Sequence, residues 1–131
     1  MRIPTSMILF VLSVVIVSSC SGADQKMKEF KLSADEIAPM APGYGACFAT
    51  DHITVDGKKV GYMYRDEPDR PEDSGWRFFS GEETQAYVDD PDNTMIYDVN
   101  TIANYDPAII PFLDAPPGSA YGRVGETFVA E

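Results

Sequence analysis

Between Ala46 and Glu67 the chain alternates apolar and polar side chains, the period-2 pattern of a half-buried strand. Ile53 and Val55 form one run, and Val60, Tyr62 and Tyr64 the next. Asp56-Gly57 lies between them, a pair that tolerates the positive φ angles of a type I′ turn. The pattern predicts a hairpin with Ile53 opposite Val60. A polar loop, "PDRPEDSG", Pro68 to Gly75, leads to "WRFF". In a strand Trp76 and Phe78 face one side, Arg77 and Phe79 the other. Ser80 and Glu83 have capping-box spacing, which predicts a short helix, Glu82 to Val88, ended by "DDPDN". A strand from Met95 to Val99 follows, then a helical turn capped by Asn100. Asp106-Pro107 reads as a cap with proline at the first helical position, and Pro111 keeps that helix short. Ile109, Ile110, Phe112 and Leu113 are expected in the core. Ser119 to Val124 is the expected last strand, with a fraying tail behind it. The fold class is therefore α+β: a small, mostly antiparallel sheet with short helices packed on it.

The first 45 residues have a different character. Arg2 precedes an apolar run, Met7 to Val17, of signal-peptide length and too short for a spanning helix of roughly 20 residues. "VSSC", Val17 to Cys20, resembles a bacterial lipobox, which implies cleavage before Cys20 and lipid on its thiol. Residues 1–19 are read as a lipoprotein signal, 20–45 as a tether and 46–131 as the globular domain. Ser21, not Asp, follows the cysteine, so the expected location is the cell envelope, on the outer membrane facing the periplasm. Within the tether, Ser33 is placed to cap a short helix over Ala34 to Ile37.

Charge narrows the partners. The 131 residues carry 21 acids against 10 Lys and Arg, a formal charge of −11. Such a surface repels nucleic acid and anionic lipid and suits a basic protein partner, so the only membrane contact expected is the lipid anchor. The acids concentrate in two loops. Asp66, Glu67, Asp69, Glu72 and Asp73 precede the Trp76 strand, and Asp89, Asp90 and Asp92 follow its helix. Loops on a rigid scaffold are where recognition sits, so these eight are the candidate partner-binding residues, at neighbouring ends of one sheet.

Catalytic chemistry is sparse. His52 is the one histidine, and Cys47 is the one thiol besides Cys20. A Cys–His couple needs contact and an orienting third group, which spacing alone does not promise. One His and one thiol make no zinc set, and "DDPDN" lacks the spacing and glycine of a calcium loop. No phosphate-binding, dinucleotide or nucleophile-elbow motif is present. The expectation is a binding protein without cofactor or metal, not an enzyme.

Two long segments carry a family likeness. "GYMYRDEPDRPEDSGWRFFSGEET", Gly61 to Thr84, and "IYDVNTIANYDPAIIPFLDAPPGSAYGR", Ile96 to Arg123, resemble the bacterial family known as domain of unknown function 2185. That family is regarded as a class of immunity proteins in polymorphic toxin systems, so the resemblance implies stoichiometric neutralisation of a toxin. Its members are mostly cytoplasmic, and the lipobox-like start departs from that pattern. The alternative is a cell-envelope lipoprotein that binds another envelope component, with no toxin involved.

Overall fold

The computed structural model describes residues 28–131; Cys20, the apolar run before it and the start of the tether lie outside the described residues. Six strands, β1 (Ala46–Thr50), β2 (Tyr62–Arg65), β3 (Asp73–Phe79), β4 (Thr94–Asp98), β5 (Ala120–Val124) and β6 (Thr127–Ala130), form one sheet. Their order is β4-β1-β3-β2-β5-β6. The β1–β3 pair is parallel and the other pairs are antiparallel. Helices α1 (Asp51–Thr54), α2 (Gln85–Asp89) and α3 (Val99–Tyr105) are short, and a 3-10 turn runs from Pro107 to Phe112. This is the expected α+β architecture.

The expected hairpin at Asp56-Gly57 does not form. Ile53 and Thr54 belong to α1, and β1 and β2 do not pair. The N–H of Val55 and of Asp56 both donate to the Asp51 carbonyl, and Gly57 N–H donates to Ile53. Gly57 does take a positive φ, +78°, but uses it to leave a helix. Helix exits and type I′ turns need the same left-handed conformation, so the glycine alone does not choose between them. Ile53 and Val60 are nonetheless both buried.

The Trp76 strand alternates as expected. Trp76 and Phe78 are fully buried, while Arg77 and Phe79 are half-buried on the other side. Cys47, Ala49, Met63, Trp76 and Phe78 line the inner face, against Ile53, Val60, Val99, Ile102, Ala103, Ile109 and Leu113. Trp76 Nε1–H donates to the Leu113 carbonyl at 3.2 Å, which satisfies its buried polar atom. Ile110 and Phe112 pack against this core without full burial.

Caps and termini depart from expectation in detail. Glu83 does accept from Ser80 N–H, at 2.8 Å, but α2 starts later, with Thr84 as its cap. Asp98, not Asn100, caps α3. Asp106 caps the 3-10 turn as expected and also accepts from Val60 N–H and from Arg123. One buried carboxylate thus ties the turn, the approach to β2 and strand β5. The tail expected to fray forms a strand instead: Thr127–Ala130 pairs with β5, and its Phe128 enters the core.

The segment read as the end of a tether bonds α1 at Lys28 and Lys31 and then lies along α3 from Leu32 to Ala41. Asn100 Oδ1 accepts from the N–H of Met40 and Ala41, each at 2.7 Å. Asn104 bonds both backbone groups of Ala38, and Leu32 N–H donates to the Tyr105 hydroxyl. The expected turn at Ser33 is present as a 3-10 helix, Ala34–Glu36.

Candidate protein interface

Among the described residues, helices cover one face of the sheet, and the second face stays open. Directly opposed residues on paired strands share a face. Phe48 pairs with Ile96 and Arg77, Tyr64 with Arg77 and Ala120, and Tyr62 with Phe79 and Gly122. The open face therefore reads Ile96, Phe48, Arg77, Tyr64, Phe79 and Tyr62 from β4 towards β5. Val129 of β6 extends it, paired with Gly122. Ile96 is 62% exposed, and Phe48, Val88 and Val129 are also exposed. A sheet face with several exposed apolar side chains, rimmed by charge, is a candidate interaction surface.

Arg77 organises its centre. Its guanidinium lies 4.7 Å from the Phe48 ring centroid and donates to both Asp73 oxygens at 3.1 Å. Those bonds hold the Asp73 carboxyl down at about 2. Tyr62, Tyr64 and Phe79 form a second cluster, with ring centroids 5.9–6.2 Å apart.

Each end of the face has an acidic wall. At one end a cavity of about 370 Å³ lies between Phe48, Arg77 and Ile96 and the loop residues Asp69, Glu72 and Asp73, with Arg70 among them. At the other, Val88 and Pro91 border a groove with Phe48, Tyr64 and Phe79, and Asp89, Asp90 and Asp92 belong to the same turns. The two groups sit at opposite ends of the sheet, not at neighbouring ones. Asp73 pairs with Ala46 at one end, whereas Asp92 leads into Thr94, which pairs with Thr50 at the other.

The eight acids do not have equal freedom. Asp66, Glu67, Asp69 and Glu72 are exposed. Asp73 is bound to Arg77 and to Gly75 N–H. Asp89 accepts from the Gln85 amide, Asp90 caps the turn at Pro91, and the Asp92 carbonyl accepts from Lys28.

His52 does not meet Cys47. Its Nδ1 lies 2.7 Å from Ser80 Oγ and 3.6 Å from Glu83 Oε2, with its ring 4.4 Å from that of Tyr87. A Ser–His–acid triad uses both ring nitrogens, one for each partner. Here serine and carboxylate converge on the same nitrogen, and Ser80 Oγ also accepts from Glu82 N–H. Burial pushes the Glu83 carboxyl up, but bonds from the Thr50 hydroxyl and from Ser80 and Gly81 N–H outweigh it, and its pKa lies below the usual value. The cluster fastens the turn after β3 to the end of β1. Cys47 is buried in the core, which pushes its thiol up and disfavours the thiolate. No group of three or more His, Cys, Asp or Glu among the described residues is placed to hold a metal.

A comparison with family models matches residues 47–129 to the immunity protein Imm33 domain. The chain belongs to that immunity-protein family. The match spans β1 to most of β6, and so takes in the inner core, the open face and both acidic walls. No curated protein and no solved structure matches the chain.

The sequence pointed to the loops and passed over the floor between them. Tyr62, Tyr64 and Phe79 were visible as alternating positions, but a helix could have covered either side. Phe48 and Ile96 gave no signal, since their neighbours come from distant parts of the chain.

Proposed function

We propose that this protein neutralises a protein toxin by stoichiometric capture on the open face of its sheet. Membership of the immunity family supports a toxin as the partner. The observation that carries the reading is the uncovered floor of Phe48, Tyr64, Phe79 and Ile96 between two acidic walls. Interfaces concentrate their energy in a few central aromatic and aliphatic anchors, while rim charge steers approach. The acids, Asp66, Glu67, Asp69, Glu72 and Asp73 at one end and Asp89, Asp90 and Asp92 at the other, suit a basic partner surface. The domain acts by blocking its target and not by turnover. With lipid on Cys20 it would do so from the outer membrane, facing the periplasm.

Ile96→Lys tests the interface. It places a cation on the edge strand of a surface read as meeting a basic partner, where lysine does not disturb the fold. Capture of the cognate toxin by the full chain should be lost with the fold intact. Unchanged capture, or recovery of an envelope component in place of a toxin, overturns the reading. Cys20→Ala tests the anchor: uncleaved precursor without fatty-acid label is expected, and normal labelling would refute it.

A further inference from the structure

Three of the arginines show what the chain does with a cation and an aromatic ring. Arg65 lies over Trp76, Arg77 over Phe48 and Arg123 over Phe128, at 5.7, 4.7 and 4.9 Å from the ring centroids. Each guanidinium is also fixed by oxygen: Arg65 by the carbonyls of Ser74 and Ala115, Arg77 by Asp73, Arg123 by Asp106. Arginine suits such places because its flat cation stacks on a ring and keeps donors at its edge.

The open face repeats the rings and the acid at a further place. Tyr62, Tyr64 and Phe79 form a triangle with centroids 6.0, 6.2 and 5.9 Å apart, and Tyr64 and Phe79 are within 13° of parallel. Among the described residues no Lys or Arg is stacked on these three rings. Glu131 supplies the carboxylate. Gly122 pairs with Tyr62, and a side chain there would collide with the Glu131 carboxylate, so that group lies across β5 on the open face. It makes no hydrogen bond or ion pair with another described side chain. Rings, Gly122 and Glu131 border one groove of about 570 Å³ with Val88, Glu83 and Arg123, whose guanidinium is already held by Asp106.

We infer that Tyr62, Tyr64 and Phe79, with Glu131 at the rim, form a cradle for an arginine side chain of the protein partner. The guanidinium lies over the Tyr64 and Phe79 rings and donates to the Glu131 carboxylate. The inference rests on the reading of this face as the toxin interface and names the chemistry of one anchor within it.

The test uses the full chain, labelled with carbon-13 in its Tyr and Phe rings, and three blocked tripeptides, Gly-Arg-Gly, Gly-Lys-Gly and Gly-citrulline-Gly. Citrulline keeps the shape of arginine without its charge. The arginine peptide should shift the ring signals of Tyr62, Tyr64 and Phe79, with the lysine peptide weaker and the citrulline peptide inert. Tyr64→Leu should weaken the arginine response about 5-fold, as expected for loss of one cation–π contact, and Glu131→Gln should weaken it too. Equal shifts from citrulline or lysine, or no shift at these rings, overturn the cradle. If Ile96→Lys abolishes toxin capture and the arginine peptide shifts nothing, the face reading stands and the cradle falls. If the peptide binds as described and Ile96→Lys leaves capture unchanged, the face reading falls, and the cradle stays an arginine site without its assigned partner.

Discussion

The two faces of the sheet are built from similar residues and differ in what covers them. On β3, Trp76 and Phe78 point inward and are fully buried, while Arg77 and Phe79 point outward and stay partly exposed. The inner rings meet α1, α3 and the Pro107–Phe112 turn, and the one polar group among them, the indole N–H, is satisfied by Leu113. The outer rings meet one another, a paired arginine and solvent. Burial of the inner set stabilises the fold, because apolar area removed from water is the main favourable term. The outer set retains that area uncovered, available to a partner. Removing inner residues should therefore unfold the protein, and removing outer ones should spare it.

The largest effect belongs to the centre of the covered face. Trp76→Ala should cost about 3–5 kcal/mol, the range for truncating a large core aromatic. Urea denaturation followed by circular dichroism would measure it. A variant that melts like the parent would break the contrast between the faces, because it would make Trp76 dispensable for packing.

The contrast was legible along each strand but not across strands. "WRFF" states its own alternation, and Asp106-Pro107 states its own cap. Which face a helix covers depends on pairings far apart in sequence. β1 runs parallel to β3 with α1 and β2 between them, and a parallel neighbour has no local turn to announce it. The expected Asp56-Gly57 hairpin failed for the same kind of reason. Ile53, Thr54 and Val55 are β-branched and favour strands locally, yet burying Ile53 beside Val99 and Ile102 favours a helical turn. The acidic loops were legible from composition. The floor between them needed the registers Phe48–Ile96 and Tyr62–Phe79.

A middle-sized effect sits on the outer face itself. Bonds from Arg77 hold the Asp73 carboxyl at about 2, below its ordinary 3.8. A carboxyl depressed in the folded state stabilises above its unfolded pKa and loses that contribution as pH falls through the folded one. The Asp73 contribution should be full above about pH 4 and gone near pH 2. Solvent screening limits it to about 1 kcal/mol. Glu83 is shifted in the same direction, so the total acid loss exceeds that of Asp73 alone. Comparing Asp73→Asn with the parent at pH 6 and pH 2 isolates it: the stability gap should close at pH 2. A gap that persists there would show that the residue acts through packing and not through its charge.

Smaller still is the stability cost of Ile96→Lys, within about 0.5 kcal/mol for an exposed edge position. The same variant should abolish toxin capture. Together with Trp76→Ala it separates the faces: one change removes stability, the other removes binding. If Ile96→Lys destabilised the protein by as much as Trp76→Ala, the outer face would be part of the fold's own support, and its reading as an interface would fail.

The acidic walls should change stability as little as Ile96→Lys does, and they divide the eight acids by what each touches. Asp73 and Asp90 have structural partners, in Arg77 and in the turn at Pro91, so a clean test leaves them in place. Asp66, Glu67, Asp69 and Glu72 are exposed, and changing all four to Asn or Gln should shift stability by no more than about 0.5 kcal/mol. Charge at a rim acts mainly on the rate of encounter. For a basic toxin the fourfold variant should associate about 10-fold more slowly at low salt, and the dependence of its rate on salt should flatten. Changing Asp89 and Asp92 tests the opposite end by the same measurement, in stopped-flow mixing over a range of salt. If both ends slow association, the partner spans the floor from wall to wall. If only the Asp66–Glu72 loop does, contact is centred on the Phe48–Ile96–Arg77 side. Rates unchanged by either set would reduce the acids to solubilising charge, and the uncovered rings alone would have to account for binding.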